Sequence, residues 1–265
     1  MNKNKYQMLD FLVKAFIADS DNYKNMEIPE DETQKKVVLR SLMNIRIPRK
    51  MDDEVLKVQD EYLKLCAEEK EIVELKDIPI IKDVFSIWQG DITRLKVDTI
   101  VNAANSIMLG CWAPMHLCID NEIHTFAGIQ LRYECNEKMQ ELKKKYGQDF
   151  EQPTAVPMLT DAYNLPSKKV IHIVGPIVYG ELTKELEKEL ADCYEKTLDM
   201  CLENGLKSVA FCCISTGEFR FPKERAAEIA IETTKKWALE HPFAMDRIIF
   251  NVFKDEDKKY YEKMI

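Results

Sequence analysis

Apolar positions change their spacing near residue 75, and this change divides the chain into two predicted parts. In the first part they recur every three or four residues, as on one face of a helix. The sets are Leu9, Leu12, Val13, Phe16 and Ile17; Val38, Leu39, Leu42 and Met43; and Val55, Leu56, Gln59, Tyr62, Leu63 and Cys66. Pro29 and Pro48 lie between the sets, where helices end. We expect residues 1–75 to form a helical extension packed on the main domain; a lid or partner-docking surface is the alternative.

From residue 76 onward, short β-rich apolar runs alternate with longer amphipathic ones. The predicted strands are residues 84–88, 99–102, 155–159, 170–174, 208–212 and 247–252. The predicted helices are residues 121–146, 181–203, 222–240 and 256–263, with Pro222 in the first turn of its helix. This alternation is typical of βαβ crossovers, so residues 76–265 are predicted to form a mainly parallel sheet between helices. Ligands of such sheets bind beyond the carboxyl ends of the strands.

Composition narrows the classes of function. The 265-residue chain is 46% hydrophobic and 32% charged, with a formal net charge of −8. Nucleic-acid binding requires basic surface, so we expect no nucleic-acid partner. No apolar run approaches the ~18 residues of a membrane span, and Asp10 and Lys14 interrupt the only signal-like patch. Eight cysteines without a signal peptide favour thiols over disulfides. We therefore expect a cytoplasmic protein with no membrane partner.

Two cysteines and one histidine lie close together at Cys111, His116 and Cys118. Thiolate and imidazole are the ligands that zinc prefers, and three protein ligands leave one position open for chemistry. The C-x4-H-x-C spacing is not that of a standard zinc finger, so two buried thiols and a chance histidine remain an alternative. His124 falls on the predicted helix, one turn beyond Asp120, and we expect it to face the ligand cleft or the core.

Three further segments follow predicted strands and carry polar groups suited to a nucleotide-sized ligand. Asp91 can accept a hydrogen bond from an adenine amino group or a ribose hydroxyl, or it can cap a turn. Asn102 and Asn105 offer amides to sugar hydroxyls, although a turn explains them equally well. Residues 214–219 present backbone amides near a helix N-terminus, which favours phosphate binding. They lack the GxxxxGK[ST] pattern of a P-loop.

Together and in this order, the segments resemble a macrodomain, the ADP-ribose-binding α/β/α module. The matching residues are 90–93 (GDIT), 101–105 (VNAAN), 118–124 (CIDNEIH), 174–176 (VGP) and 214–219 (ISTGEF). Most macrodomains have a glycine-rich loop where this chain has residues 110–118 (GCWAPMHLC). This segment resembles the one found at that place in the zinc-containing branch of microbial protein-ADP-ribose hydrolases. Residues 39–46 (LRSLMNIR) look like part of the helical N-terminal extension of that branch. The resemblance implies a three-layer α/β/α macrodomain with a mixed, mainly parallel sheet, plus the helical extension.

The resemblance also implies roles for individual residues. Asp91 and Ile92 are implied to contact adenine, and the distal ribose is implied to contact Asn102, Asn105 and Phe219. The diphosphate is implied to bind Ser215, Thr216, Gly217 and Glu218. One zinc ion is implied to bind Cys111, His116 and Cys118. Asp120 is implied as general base or water-orienting group, and its place at a helix start favours the ionised form. Asn105 is implied to fix the ribose for reaction.

The reaction implied by the resemblance is zinc-dependent removal of mono-ADP-ribose from protein side chains, in particular acidic ones. Many macrodomains only bind ADP-ribose, so a reader module is one alternative. Deacetylation of O-acetyl-ADP-ribose and a purely structural zinc ion are two others. Related microbial hydrolases are associated with a sirtuin-type ADP-ribosyltransferase and a lipoylated carrier protein. The resemblance implies these two as partners, beside ADP-ribose and the ADP-ribosylated substrate protein.

Overall fold

Three helices form the amino-terminal part of the computed structural model, which describes residues 4–265. They are α1 (Lys5–Asp19), α2 (Glu32–Ile45) and α3 (Asp53–Glu69). Each helix follows a polar N-cap whose side chain accepts an N–H of the first turn, which satisfies an otherwise unpaired donor. The apolar faces of the helices meet in a hydrophobic cluster of their own, to which Ile129 of the second part also belongs.

The second part is a sheet covered by helices on both faces. Its strands are β1 (Val73–Glu74), β2 (Phe85–Gln89), β3 (Leu95–Lys96), β4 (Thr99–Ala104), β5 (Met158–Asp161), β6 (Lys169–Val174), β7 (Ser208–Phe211) and β8 (Arg247–Val252). Its helices are α4 (Ile119–Ala127), α5 (Ile129–Tyr146), α6 (Lys184–Glu203), α7 (Lys223–Glu240) and α8 (Asp255–Met264). Within residues 4–265, none of the helices combines the length and apolar character needed to cross a membrane.

Six of the strands form one sheet in the order β2-β8-β7-β4-β6-β5, while β1 pairs with β3. In the larger sheet the β5–β6 pair is antiparallel and the other neighbours are parallel, so five strands end at the same edge. Strands β4 and β6 are almost entirely buried, as expected for parallel strands with helices on both faces. Helices α4 and α5 pack on β4 and β5, whereas α6, α7 and α8 form a second group, which gives three α/β/α layers.

The predicted strands are all present, with ends shifted by up to three residues. The single helix predicted over residues 121–146 is wrong, because Gly128 has a φ of +96° and separates α4 from α5. Pro222 is the N-cap of α7 and does not lie in its first turn, which also corrects the prediction. The boundary expected at residue 76 stays a prediction; β1 lies just before it and pairs with β3, which follows β2 on the other side of the boundary.

Candidate active site

The carboxyl edge of the sheet collects the polar segments singled out in the sequence. Asp91 follows β2, Asn105 follows β4, Gly175 follows β6 and residues 215–219 follow β7. Two of these loops touch closely, because a Cβ added to Gly175 would lie 2.1 Å from the Ser215 hydroxyl oxygen. Strand ends that meet in this way form the ligand-binding edge of open parallel sheets.

Cys111, His116 and Cys118 converge in the loop that precedes α4. Their ligand atoms lie within 4.8 Å of one another, and Cys111 Sγ is 3.4 Å from His116 Nδ1. Cys118 is also the N-cap of α4, where its sulfur accepts the N–H of Asn121. Burial, together with the neighbouring Cys111 and Asp120, raises the pKa of Cys118 to about 12, so this thiol keeps its proton unless a cation replaces it. Two sulfurs and an imidazole in this arrangement fit a zinc ion.

Asp120, the second residue of α4, is a buried carboxylate held by two asparagines. Asn102 Nδ2 donates to Oδ1 at 2.7 Å, and Asn105 Nδ2 donates to Oδ2 at 3.3 Å. The Asn105 amide also donates to the carbonyl of Gly110, next to Cys111, at 3.2 Å. Burial raises the pKa of Asp120 to about 6, so removal from water outweighs the stabilisation expected from the helix start. This pKa lies below 7, so the carboxylate form predominates at neutral pH.

Two buried histidines extend this network into the core. His172 of β6 accepts from Asn102 at Nδ1, 3.0 Å away, so its Nε2 carries the hydrogen and donates to the Thr160 hydroxyl at 3.0 Å. His124 lies in the core, the second of its two expected places, and its ring centroid is 5.7 Å from that of His172. Burial lowers the pKa of both histidines, that of His172 to about 3. The 3.6 Å contact of His124 with Asp120 is therefore not an ion pair.

Asp91 caps a short turn and also remains accessible to a ligand. Thr93 donates its N–H and its hydroxyl to Oδ1, at 3.0 and 2.6 Å, and Lys70 Nζ donates to Oδ2 at 2.8 Å. Burial raises the pKa of Asp91, but the bonds from Lys70 and Thr93 lower it by more than burial raises it, so the pKa lies below its usual value. The side chain is 28% exposed, whereas the neighbouring Ile92 is buried. Lys70 also lies over the ring of Phe126, which connects this corner to α4.

The loop after β7 contains several backbone N–H groups without an acceptor in residues 4–265 of the protein. Ser215 has a φ of +64°, and its carbonyl accepts the N–H of Phe221 at 2.9 Å, which closes the loop into a turn. The Thr216 N–H donates to the carbonyl of Cys213. Among the residues that the structure describes, the N–H groups of Ser215, Gly217, Glu218 and Phe219 in this loop donate to no protein acceptor. Clustered backbone donors of this kind suit phosphate oxygens.

The side chains that support the metal-ligand loop were not predicted from the sequence. Arg132 of α5 is buried and donates to the carbonyls of Leu109 and Cys111, at 2.7 and 3.3 Å, with its guanidinium 4.3 Å from the Trp112 ring. It also donates to three carbonyls near the end of α2, those of Met43, Asn44 and Arg46. Burial lowers the pKa of Arg132 to about 10. An arginine within an amphipathic helix carries no sequence signal for this role.

The protein is therefore a three-layer α/β protein whose polar loops lie beyond the carboxyl ends of its parallel strands, where ligands of such sheets bind. A family model described as Macro domain matches residues 101–230. A protein-ADP-ribose hydrolase from Treponema medium is 47% identical to this chain, over 96% of this chain and 97% of its own length. One from Staphylococcus aureus (strain MSSA476) is 37% identical, over 98% and 96% of the two chains. The chain belongs to the Macro domain family.

A solved structure supports the same assignment of fold. The Trypanosoma brucei macrodomain in complex with ADP-ribose is similar to this chain with a TM-score of 0.64 and 27% sequence identity. The match covers 89% of this chain and 96% of that chain. The three-layer macrodomain fold expected from the sequence is therefore confirmed.

Proposed function

We propose that this protein is a zinc-dependent hydrolase that removes mono-ADP-ribose from modified protein side chains, acidic ones in particular. The observation that carries the proposal is the double contact of Asn105, whose amide donates to Gly110, beside the ligand Cys111, and to Asp120. A buried carboxylate thus adjoins a three-donor metal group at the ligand edge of a macrodomain. The activity in the names of the two bacterial relatives, which align over nearly the full chain, supports the same reaction.

ADP-ribose is proposed to lie along the carboxyl edge of the sheet. Thr93 occupies both lone pairs of Asp91 Oδ1 and Lys70 occupies one of Oδ2, so Oδ2 keeps one lone pair for the adenine amino group. Ile92 would flank the ring. Phe219, which is half-buried, would pack on the distal ribose. The diphosphate would bind the turn formed by Ser215, Thr216, Gly217 and Glu218. In this turn the N–H groups of Ser215, Gly217 and Glu218 donate to no protein acceptor among the described residues.

Asp120 is the proposed general base or water-orienting group, and Asn105 would fix the distal ribose beside it. Asn102 is fully buried, so we propose that it serves the reaction by orienting Asp120, and that its contribution to the ribose pocket is indirect. The chemistry that a zinc ion supplies when bound is that of a Lewis acid for a sugar or carbonyl oxygen. The proposed ligands are Cys111, His116 and Cys118.

The test combines metal content with turnover in the Cys118→Ala variant. The substrate is a protein mono-ADP-ribosylated on carboxylates with labelled ADP-ribose. We expect the wild type to hold one zinc ion per chain and release the label, and Cys118→Ala to lose both properties. Cys66→Ala, which removes a half-buried thiol of α3, is the matched control and should keep both. Full turnover by Cys118→Ala without metal would overturn zinc dependence. Wild-type ADP-ribose binding without release of label would overturn hydrolysis and favour a reader.

The linkage and the partners are narrower proposals that rest on the sequence resemblance. We expect faster release from carboxylate-linked ADP-ribose than from arginine-linked ADP-ribose or O-acetyl-ADP-ribose in parallel assays. Preference for O-acetyl-ADP-ribose would favour the deacetylase instead. A sirtuin-type ADP-ribosyltransferase is the proposed source of the substrate, and a lipoylated carrier protein is its proposed acceptor. Release of label from a carrier modified by such a transferase would test that pairing.

A further inference from the structure

The loop that carries the metal-ligand group rests on α2 of the amino-terminal helices. Arg40 of α2 uses Nη2 to donate to the backbone carbonyl of His116 at 3.0 Å, to Asn121 Oδ1 at 2.9 Å and to Glu122 Oε1 at 2.7 Å. The Arg40 side chain is 16% exposed, so these charge-assisted bonds are largely shielded from water. One guanidinium therefore joins α2 to a ligand residue and to the first turn of α4, whose N-cap is Cys118.

Asn44, one turn further along α2, holds the same loop through its backbone. Its Oδ1 accepts the N–H of Met115 at 3.1 Å, and its Nδ2 donates to the Thr125 hydroxyl at 2.9 Å. Met115 has a φ of +59°, in the left-handed region that a methionine rarely adopts, and it directly precedes His116. Asn44 is 1% exposed, so its acceptor is fixed by packing. This bond stabilises a strained backbone at the position where a change in φ would swing the imidazole away.

We propose that Arg40 and Asn44 are positioning residues of the metal site, so that α2 is the support on which the metal-binding loop is preorganised. The inference rests on the proposed function, because it requires Cys111, His116 and Cys118 to bind a metal ion. Without the support, metal binding would have to order a strained loop, and the free energy of ordering would be subtracted from affinity. Removal of contacts that orient metal ligands typically lowers metal affinity by about 10- to 100-fold.

The test is the zinc affinity of the full-length Arg40→Ala and Asn44→Ala variants, measured by competition with a chromophoric chelator. We expect the Kd for zinc to rise at least about ten-fold in each variant. Lys36→Ala is the matched control, because Lys36 lies one turn before Arg40 on the same helix and its side chain, paired with Glu32, is 46% exposed. The control should keep the wild-type Kd.

A second measurement reports the geometry of the metal ligands and does not depend on enzymatic turnover. Cobalt(II) is added in place of zinc, and its visible bands report tetrahedral coordination and thiolate ligation. We expect these bands to weaken or shift in Arg40→Ala and Asn44→Ala and to remain unchanged in Lys36→Ala. Arg40→Lys keeps the charge, but its side chain is one atom shorter, so the ammonium does not reach the point where the three acceptors meet at Arg40 Nη2. Its Kd should therefore fall between those of the wild type and Arg40→Ala.

The outcomes separate this inference from the proposal on which it rests. A wild-type protein that takes up no zinc overturns the metal site and this inference with it. Wild-type zinc uptake together with unchanged Kd and cobalt bands in both variants overturns this inference alone. If circular dichroism shows that metal-free Asn44→Ala does not fold, Arg40→Ala decides the question, since the Arg40 side chain is less deeply buried (16% exposed) than Asn44 (1% exposed).

Discussion

Acid is expected to destabilise this protein through His172, and the variant His172→Gln tests the expectation. Burial lowers the pKa of His172 to about 3, whereas an exposed histidine has a pKa of about 6.5. Between these values the unfolded chain binds a proton that the folded protein does not. The stability associated with the neutral ring is therefore complete above about pH 6.5 and is lost progressively as the pH falls below it.

The magnitude follows from the same two values. At about pH 5, protonation of His172 in the unfolded state favours unfolding by about 2 kcal/mol, because each pKa unit corresponds to about 1.4 kcal/mol. A glutamine at this position can accept from Asn102 and donate to Thr160, but it cannot bind a proton. Urea unfolding at about pH 7.5 and pH 5 should show that the wild type loses about 2 kcal/mol more than His172→Gln between the two pH values.

Val170→Ala, in the same strand, is the control, because it destabilises the core without changing a group that binds protons. Val170 is fully buried, and its truncation should lower the free energy of unfolding equally at both pH values. The comparison uses only the change in the free energy of unfolding of each protein between the two pH values. Any loss of stability that glutamine causes at both pH values therefore cancels. Equal acid losses in the wild type and His172→Gln would refute the argument from the buried ring.

Three further variants probe the site and its support. Gly110→Ala places a Cβ 2.8 Å from a histidine ring, at a residue whose φ is +79°. Urea unfolding should show that it lowers the free energy of unfolding by about 3 kcal/mol. Gly205→Ala, where no atom lies within 4 Å of the added Cβ, should lower it by only about 1 kcal/mol. Arg132→Lys should lower stability by about 3 kcal/mol, and the surface control Arg225→Lys by less than about 1 kcal/mol. Asp120→Asn should lower kcat for release of label by about 100-fold or more, while calorimetric ADP-ribose affinity changes by less than about three-fold.

The strands could be predicted because a parallel strand covered on both faces is a continuous apolar run. Strand β8 is found at residues 247–252 as predicted, and β7 ends one residue before the prediction. The break between α4 and α5 was not predicted, because the helical spacing of apolar residues continues past Gly128. The signal was present in composition, since the chain has only eight glycines and Gly128 adopts a φ of +96°.

The metal-ligand group could be predicted because its donors are close in sequence, but its support could not. Arg40 and Asn44 are more than seventy residues away from the loop that they contact. Periodicity shows which face of α2 is buried and does not show which polar group meets that face. The burial of Asn102 was missed for the same reason, because its partner His172 belongs to a neighbouring strand seventy residues away.

The contacts of Arg132 favour a packed amino-terminal extension over a mobile lid. Three of its five hydrogen bonds go to carbonyls at the end of α2 and two go to the metal-ligand loop. Movement of α2 away from α5 would separate the Arg132 guanidinium from three of its five acceptors. Loss of the partners of a buried charge destabilises proteins by about 3–5 kcal/mol. Whole domains are stable by only about 5–15 kcal/mol, so such an opening would cost a substantial fraction of the free energy of unfolding. These contacts therefore support the proposal that α2 is a fixed part of the site.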